Sequence, residues 1–129
     1  MFTTEQIKQA HKKVKSGADF PAYISELKQL GVTCYETYVD DGHTNYFGSN
    51  NYKTSSPATY QHLPVAELPD AAGFQADLKV HQQGKTDYTT FCNDCARSGI
   101  EKWTVNIGAM TCTYHDKAGY AVLIEMIPG

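Results

Sequence analysis

What most constrains the fold of this chain is that its second half restates its first. Laid over itself at an offset of 68 residues, Asp19 falls on Asp87, Phe20 on Tyr88, Tyr23 on Phe91, Glu26 on Asp94, Gly31 on Gly99, Val32 on Ile100, Tyr35 on Trp103 and Val39 on Ile107. Few of these pairs are identical, yet size and polarity are kept. Upstream, Gly17 meets Gly84 at an offset of 67, one residue of loop length apart. The pattern reads as a divergent internal duplication, with copies at about 1–55 and 70–127. Whatever one copy folds into, the other must fold into as well, and the two must share a core.

Each copy opens with two helix signals. "FTTEQIKQAHKKVKSG" sets Ile7, His11 and Val14 on one stripe and stops at Gly17; "DFPAYISELKQLG" sets Phe20, Tyr23, Ile24, Leu27 and Leu30 at helical spacing and stops at Gly31. In the second copy "DAAGFQADLKVHQQG" carries Phe74, Leu78 and His81 up to Gly84, and "DYTTFCNDCARSG" carries Tyr88, Phe91, Cys92 and Cys95 up to Gly99. Glycine just past a helix end takes the left-handed conformation without penalty, and after it the sequence turns β-branched and aromatic. Strands follow as antiparallel hairpins. "TCYETYV" and "TNYFG" flank "DDGH", while "MTCTY" and "YAVLIEMI" flank "HDKAG", and a weaker third strand lies near "YKTSS". The stretch 49–69, with three of the five prolines, reads as the connection between copies. The expected fold is therefore α+β: two helix-helix-strands units whose helices pack on one face of an antiparallel sheet.

A length of 129 residues suits one domain with a real hydrophobic core, and 41% hydrophobic with 19% charged residues is a globular composition. The net charge of -3 and the short run Lys12, Lys13, Lys15, read as a solvated helix face, argue against nucleic-acid binding. No basic segment followed by an apolar one opens the chain, and no run of eighteen apolar residues occurs, so neither a signal peptide nor a membrane span is expected. A cytoplasmic location is the expectation, with Cys34, Cys92, Cys95 and Cys112 as reduced thiols.

The segments "HQQGKTDYTTF", "GIEKW" and "MTCTYHDKAG" resemble those of the YbcV-like bacterial proteins, often labelled phage envelope protein. The likeness runs over nearly the whole chain and is densest from His81 to Gly119. It implies an association with prophages and bacterial genomes, and carries over no activity and no catalytic residue.

Chemistry-bearing residues then divide by position. A Cys-x-x-C pair can ligate zinc or act in redox exchange, but zinc sites of four thiolates need a second such pair, and a redox pair belongs at a helix start. Cys92 and Cys95 fall in mid-helix and replace Ile24 and Leu27 of the first copy, so they read as core. His11 and His81 lie on apolar helical stripes and read as partly buried, hydrogen-bonded side chains; His43 and His115 belong to hairpin turns, and His62 to the connection. No nucleophile elbow, phosphate loop, dinucleotide fingerprint or zinc-protease motif occurs, and the "GKT" at 84–86 lacks the upstream glycine and strand of a phosphate loop.

The strands offer a binding surface. Tyr35, Thr37 and Val39 with Trp103, Val105 and Ile107 give one largely apolar face; Glu36, Tyr38, Thr104 and Asn106, with Thr111 and Thr113, give an open one. Glu36, Tyr38, Thr104, Asn106 and His115 are therefore the candidate residues for a small-molecule or protein partner. The expected function is a non-catalytic binding or interaction module needing no metal or cofactor. A small cofactor-independent enzyme with His81 or His115 as base beside Tyr38 or Glu36 is the first alternative, and a metal-thiolate protein the second.

Overall fold

A computed structural model describes residues 2–14 and 19–127 of the chain. Helices α1 (Thr4–His11) and α2 (Phe20–Leu30) lead into strands β1 (Val32–Tyr38), β2 (Thr44–Gly48) and β3 (Lys53–Ser56). Helices α3 (Ala71–Gln82) and α4 (Tyr88–Arg97) then lead into β4 (Lys102–Asn106), β5 (Thr111–His115) and β6 (Ala121–Met126). The helix-helix-strands order expected from the sequence is thus present twice, and the helices pack against the antiparallel sheet of an α+β fold.

Local chemistry sets the helix ends. Thr3 closes a capping box with Gln6, and the carboxylates of Asp70 and Asp87 accept from the backbone N–H groups of Gly73 and Thr90. Gly31 ends α2 at φ 102°, and Gly99 follows α4 at φ 77°, conformations that side-chain-bearing residues rarely take. The first helix is shorter than its periodicity suggests. It stops at His11, leaving Lys12 and Val14 beyond it, and both Gly17 and Lys15 lie outside the described residues. Lys13 is exposed and reaches Glu26 of α2 at 3.0 Å, a solvated contact as expected.

All six strands form one sheet in the order β3-β2-β1-β4-β5-β6, with every neighbouring pair antiparallel. The register repeats at 68 residues. Tyr35 faces Tyr46 across β1 and β2, and Trp103 faces Tyr114 across β4 and β5; Glu36 faces Asn45, and Thr104 faces Thr113. At the centre β1 pairs with β4, where Glu36 stands opposite Thr104, the residue 68 positions on. A local two-fold axis therefore passes through that pair. Strand alternation buries Tyr35, Thr37, Val39, Trp103, Val105 and Ile107 beneath the helices, together with Ile24, Leu27, Phe74 and Ile100.

The segment 57–70 is tied down rather than loose. Leu63 N–H donates to Asp40 O, Ala66 N–H to Ala96 O, and the Tyr60 hydroxyl donates to Val39 O, which fastens this connection to both halves.

Candidate functional site

Helices α1 and α2 pack against β3 and β1, while Phe74 of α3 and Phe91 of α4 pack on Tyr114 of β5 and Trp103 of β4. A cavity of about 620 Å³ remains between the two pairs, floored by Tyr35, Thr37 and Trp103 of the two central strands. Helical residues Tyr23, Leu78, Tyr88 and Phe91 form its sides, with Tyr46 and Tyr114 from the flanking strands, and His11, His81, Asp87 and Glu125 also line it. That volume falls within the range of about 300–1,000 Å³ typical of small-molecule sites, whose walls are mainly apolar and aromatic.

The two walls are related by position but differ in chemistry. On the first-half side, Tyr23, Tyr35, Thr37, Thr44 and Tyr46 bring five hydroxyls. The Thr37 and Thr44 hydroxyls lie 2.9 Å apart, and that of Tyr46 stands among those of Tyr23, Thr44 and Ser56. On the other side, Phe91 takes the place of Tyr23, Trp103 of Tyr35 and Cys112 of Thr44. Rings pack across this wall, with Phe91 and Trp103 centroids 5.5 Å apart and Phe74 and Tyr114 4.7 Å apart.

Two imidazoles line the cavity as well. His81 stacks on Phe91 at 4.4 Å and 13°, and its Nδ1 meets the Thr86 hydroxyl at 2.9 Å. His11 sits at the rim, edge-on to Tyr23 at 5.3 Å and to Tyr88 at 5.6 Å, so that it touches side chains from both halves. Loss of water contact lowers the pKa of both histidines, an effect that Thr86, Asp94 and Asp87 partly offset at His81. Burial likewise raises the Tyr23, Tyr35, Tyr46, Tyr88 and Tyr114 phenols, so they remain hydroxyls across the neutral range.

The sequence places His11, His81, Tyr23, Tyr35 and Tyr88 in or near a filled core. A signal for the cavity was nonetheless present, because Tyr35 and Thr37 on the covered sheet face and Tyr23 on the buried helical stripe all carry hydroxyls. Buried hydroxyls need partners, and a wall dense in them faces polar neighbours or solvent-accessible space.

The five residues singled out from the strands lie on the opposite, uncovered face. Glu36 accepts from Asn45 Nδ2 at 3.1 Å and from the Tyr38 hydroxyl at 3.4 Å, and Lys102 Nζ stands 3.5 Å from its other oxygen. Tyr38 is sandwiched, with the His43 ring stacked at 4.5 Å and the Lys102 ammonium 5.5 Å from its centroid. The Thr104 hydroxyl lies 3.4 Å from His115 Nε2. Asn106 is exposed, and its Oδ1 accepts from Ala109 N–H at 3.0 Å, which shapes the turn between β4 and β5. The structure thus groups Glu36, Tyr38, Thr104 and His115 around Lys102 and places Asn106 at one end. It separates His81 from Glu36 and Tyr38 by the thickness of the sheet, so a His81 base assisted by either residue cannot be assembled.

The cysteine pair is buried in α4, with Cys92 1% and Cys95 0% exposed. Burial raises both thiols, and Cys112 is pushed up to about 12 by its own burial. Asp40, Asp41 and His43 bring potential ligand atoms within 4.8 Å of one another, the geometry a cation would need. His43 already engages Asp41 Oδ1, through its ring at 2.6 Å and its backbone N–H at 2.9 Å. Partial burial works against ionisation of Asp41, but these bonds outweigh it and lower its pKa. Asp41 and His43 therefore shape the β1–β2 turn, while the buried Asp40 Oδ1 has no hydrogen-bond partner among the described residues.

Among the described residues, no helix is long and apolar enough to cross a membrane. A model of the family described as protein of unknown function (DUF1398) matches residues 8–126, and the chain belongs to that family. No curated protein matches the sequence.

Proposed function

We propose that this chain is a non-catalytic binding protein that holds a small, largely apolar molecule in the cavity between its two helix pairs and the sheet. The observation that carries the reading is the cavity itself: about 620 Å³, walled by aromatic rings, with hydroxyls concentrated on one side. Such a lining excludes water from an apolar ligand while a few polar groups fix its orientation. A catalytic reading is weaker, because among the described residues neither candidate base meets a carboxylate that would orient it: His81 has Thr86 on one nitrogen and Phe91 against its ring, and His115 has the Thr104 hydroxyl and the Gly119 carbonyl at its two nitrogens. The metal-thiolate reading is weaker still, since Cys92 and Cys95 are enclosed in α4 and their raised pKa values oppose thiolate formation.

Trp103 is the only tryptophan of the chain and lines the cavity, so its fluorescence reports directly on occupancy. Titration with a neutral aromatic probe such as Nile red should quench Trp103 saturably at one probe per chain and raise the melting temperature. Absence of quenching at saturating probe, or quenching without any rise in stability, refutes the cavity as a site.

We further read the chain as one domain made of two diverged copies, in a bacterial or phage-related, cytoplasmic setting in keeping with the resemblance noted above. The uncovered sheet face then supplies a second contact surface, for a partner protein, through Glu36, Tyr38, Thr104, Asn106 and His115. What favours it is that Ile124 and Met126, 61% and 72% exposed, lie in register with Thr113 and Thr111 beside these residues. Thr113→Arg should leave the melting temperature nearly unchanged while removing a partner that co-purifies from the host; a large stability loss would show that the face is not free.

A further inference from the structure

We propose that the cavity ligand carries a positive charge: an organic cation with an aromatic or branched apolar body, such as a quaternary or tertiary ammonium. This rests on the reading of the cavity as the binding site and names the class of molecule it takes. Among the described residues that line it, the only formally charged side chains are Asp87 and Glu125, and neither lysine nor arginine is present. A cation at this space meets the exposed Asp87 carboxylate at its open side, the Glu125 carboxylate and a lining of tyrosine, phenylalanine and tryptophan rings, the combination that recognises alkylammonium groups elsewhere.

Two features could have favoured an anion instead, and each is weakened. The α4 N-terminus borders the cavity, and its dipole would attract negative charge, but the Asp87 carboxylate already occupies it by accepting from Thr90 N–H at 2.8 Å. The first turn of α2 also borders the cavity, through Phe20 and Pro21, and the proline has no N–H to offer. His11 and His81 would add positive charge if protonated, but burial favours their neutral forms.

Glu125 is anchored by Gln82 Nε2 at 2.8 Å, which holds one carboxylate in place. Both acids can be neutralised without losing these structural bonds. In Asp87→Asn the new carboxamide can still cap α4, and in Glu125→Gln the amide oxygen can still accept from Gln82.

The test compares three probes of similar size by Trp103 quenching and calorimetry on the full chain: phenyltrimethylammonium, its neutral isostere tert-butylbenzene, and benzenesulfonate. Phenyltrimethylammonium should bind at least about tenfold more tightly than tert-butylbenzene, the scale expected for a partly desolvated cation on aromatic faces. In the Asp87→Asn/Glu125→Gln variant, confirmed as folded by its melting curve, that preference should fall several-fold, and Asp87→Asn alone should lower it in the same direction. Equal or tighter binding of the neutral probe or the sulfonate overturns the inference and leaves the cavity as a site for another class of ligand. A cation preference that survives in the double variant and in Asp87→Asn also overturns it. Failure of all three probes to reach Trp103 at millimolar concentration removes the cavity reading together with the charge.

Discussion

Replacing both Cys92 and Cys95 by alanine tests whether this pair is packing or chemistry. Each change removes one sulfur from a fully enclosed position, since the two residues are 1% and 0% exposed and stand where Ile24 and Leu27 stand in the first half. Losing a buried group of about methylene size costs about 0.8 kcal/mol in transfer, and the space left behind adds to it, so each site should lose about 1 kcal/mol. The simple sum for the pair is about 2 kcal/mol, from which the measured value departs by the coupling between two residues three apart on one helix. For a chain of this length the sum corresponds to a fall in melting temperature of about 7 °C. Urea or thermal denaturation followed by circular dichroism measures the loss, and site-resolved thiol labelling by mass spectrometry supplies the second readout. In the native protein half-exposed Cys34 should label first, while 92 and 95 react slowly, because burial holds both as thiols, and become fast in denaturant. The reverse substitutions are informative in the other direction. Cys92→Ile enlarges a side chain that lies near the Tyr60 and Tyr88 hydroxyls, and overpacking of that kind costs about 1–3 kcal/mol. Rapid native labelling of both cysteines, or an alanine pair that costs nothing, would refute the packing account.

Two other outcomes follow from the same core. Because burial lowers the native pKa of His11 and His81, the unfolded chain binds more protons near pH 6, so their contribution to stability is complete above the ordinary value of about 6.5. It should decline as pH falls from there and level off below the depressed native values; urea midpoints between pH 7.5 and 5.5 check this, and His81→Asn should flatten part of the slope. Gly99→Ala should destabilise by about 2–3 kcal/mol, because φ is 77° and an added Cβ would lie 2.5 Å from the Leu68 carbonyl oxygen. A chemical denaturation midpoint unchanged from the parent would contradict that geometry.

The elements that the sequence discloses are those written in local chemistry. Asp70, Asp87, Gly31 and Gly99 mark helix ends by capping and left-handed backbone, and the alternation of Tyr35, Thr37 and Val39 against Glu36 and Tyr38 assigns the two sheet faces. The early end of α1 was hidden because Val14 continues the apolar spacing beyond the last helical turn. The cavity was hidden for a deeper reason. Periodicity tells which face of an element is apolar but not how closely two helix pairs approach each other, so Tyr23 and Tyr35, buried as their spacing predicts, do not disclose that they also wall a space. The open face, by contrast, was legible from alternation alone, and its groups engage one another across the strands, as Asn45, Glu36 and Lys102 do.

The register of the sheet explains why chemical differences between the halves matter more here than they would in an ordinary core. Glu36 stands opposite Thr104, and the cavity lies over the same two strands on the other side of the sheet, so residues 68 positions apart, such as Tyr35 and Trp103, both line it. Were the two halves alike at these positions, the walls would match and an asymmetric ligand would have two equal orientations. Phe91, Trp103 and Cys112, which stand 68 positions beyond Tyr23, Tyr35 and Thr44, carry no hydroxyl on their wall. A ligand turned the wrong way would press its polar groups against Phe91 and Trp103. Each polar group desolvated without a partner costs about 1–3 kcal/mol. One such mismatch is enough to favour a single orientation by about tenfold. The repeated strand register therefore frames the space, and the chemical difference between its two walls would give a bound molecule a direction.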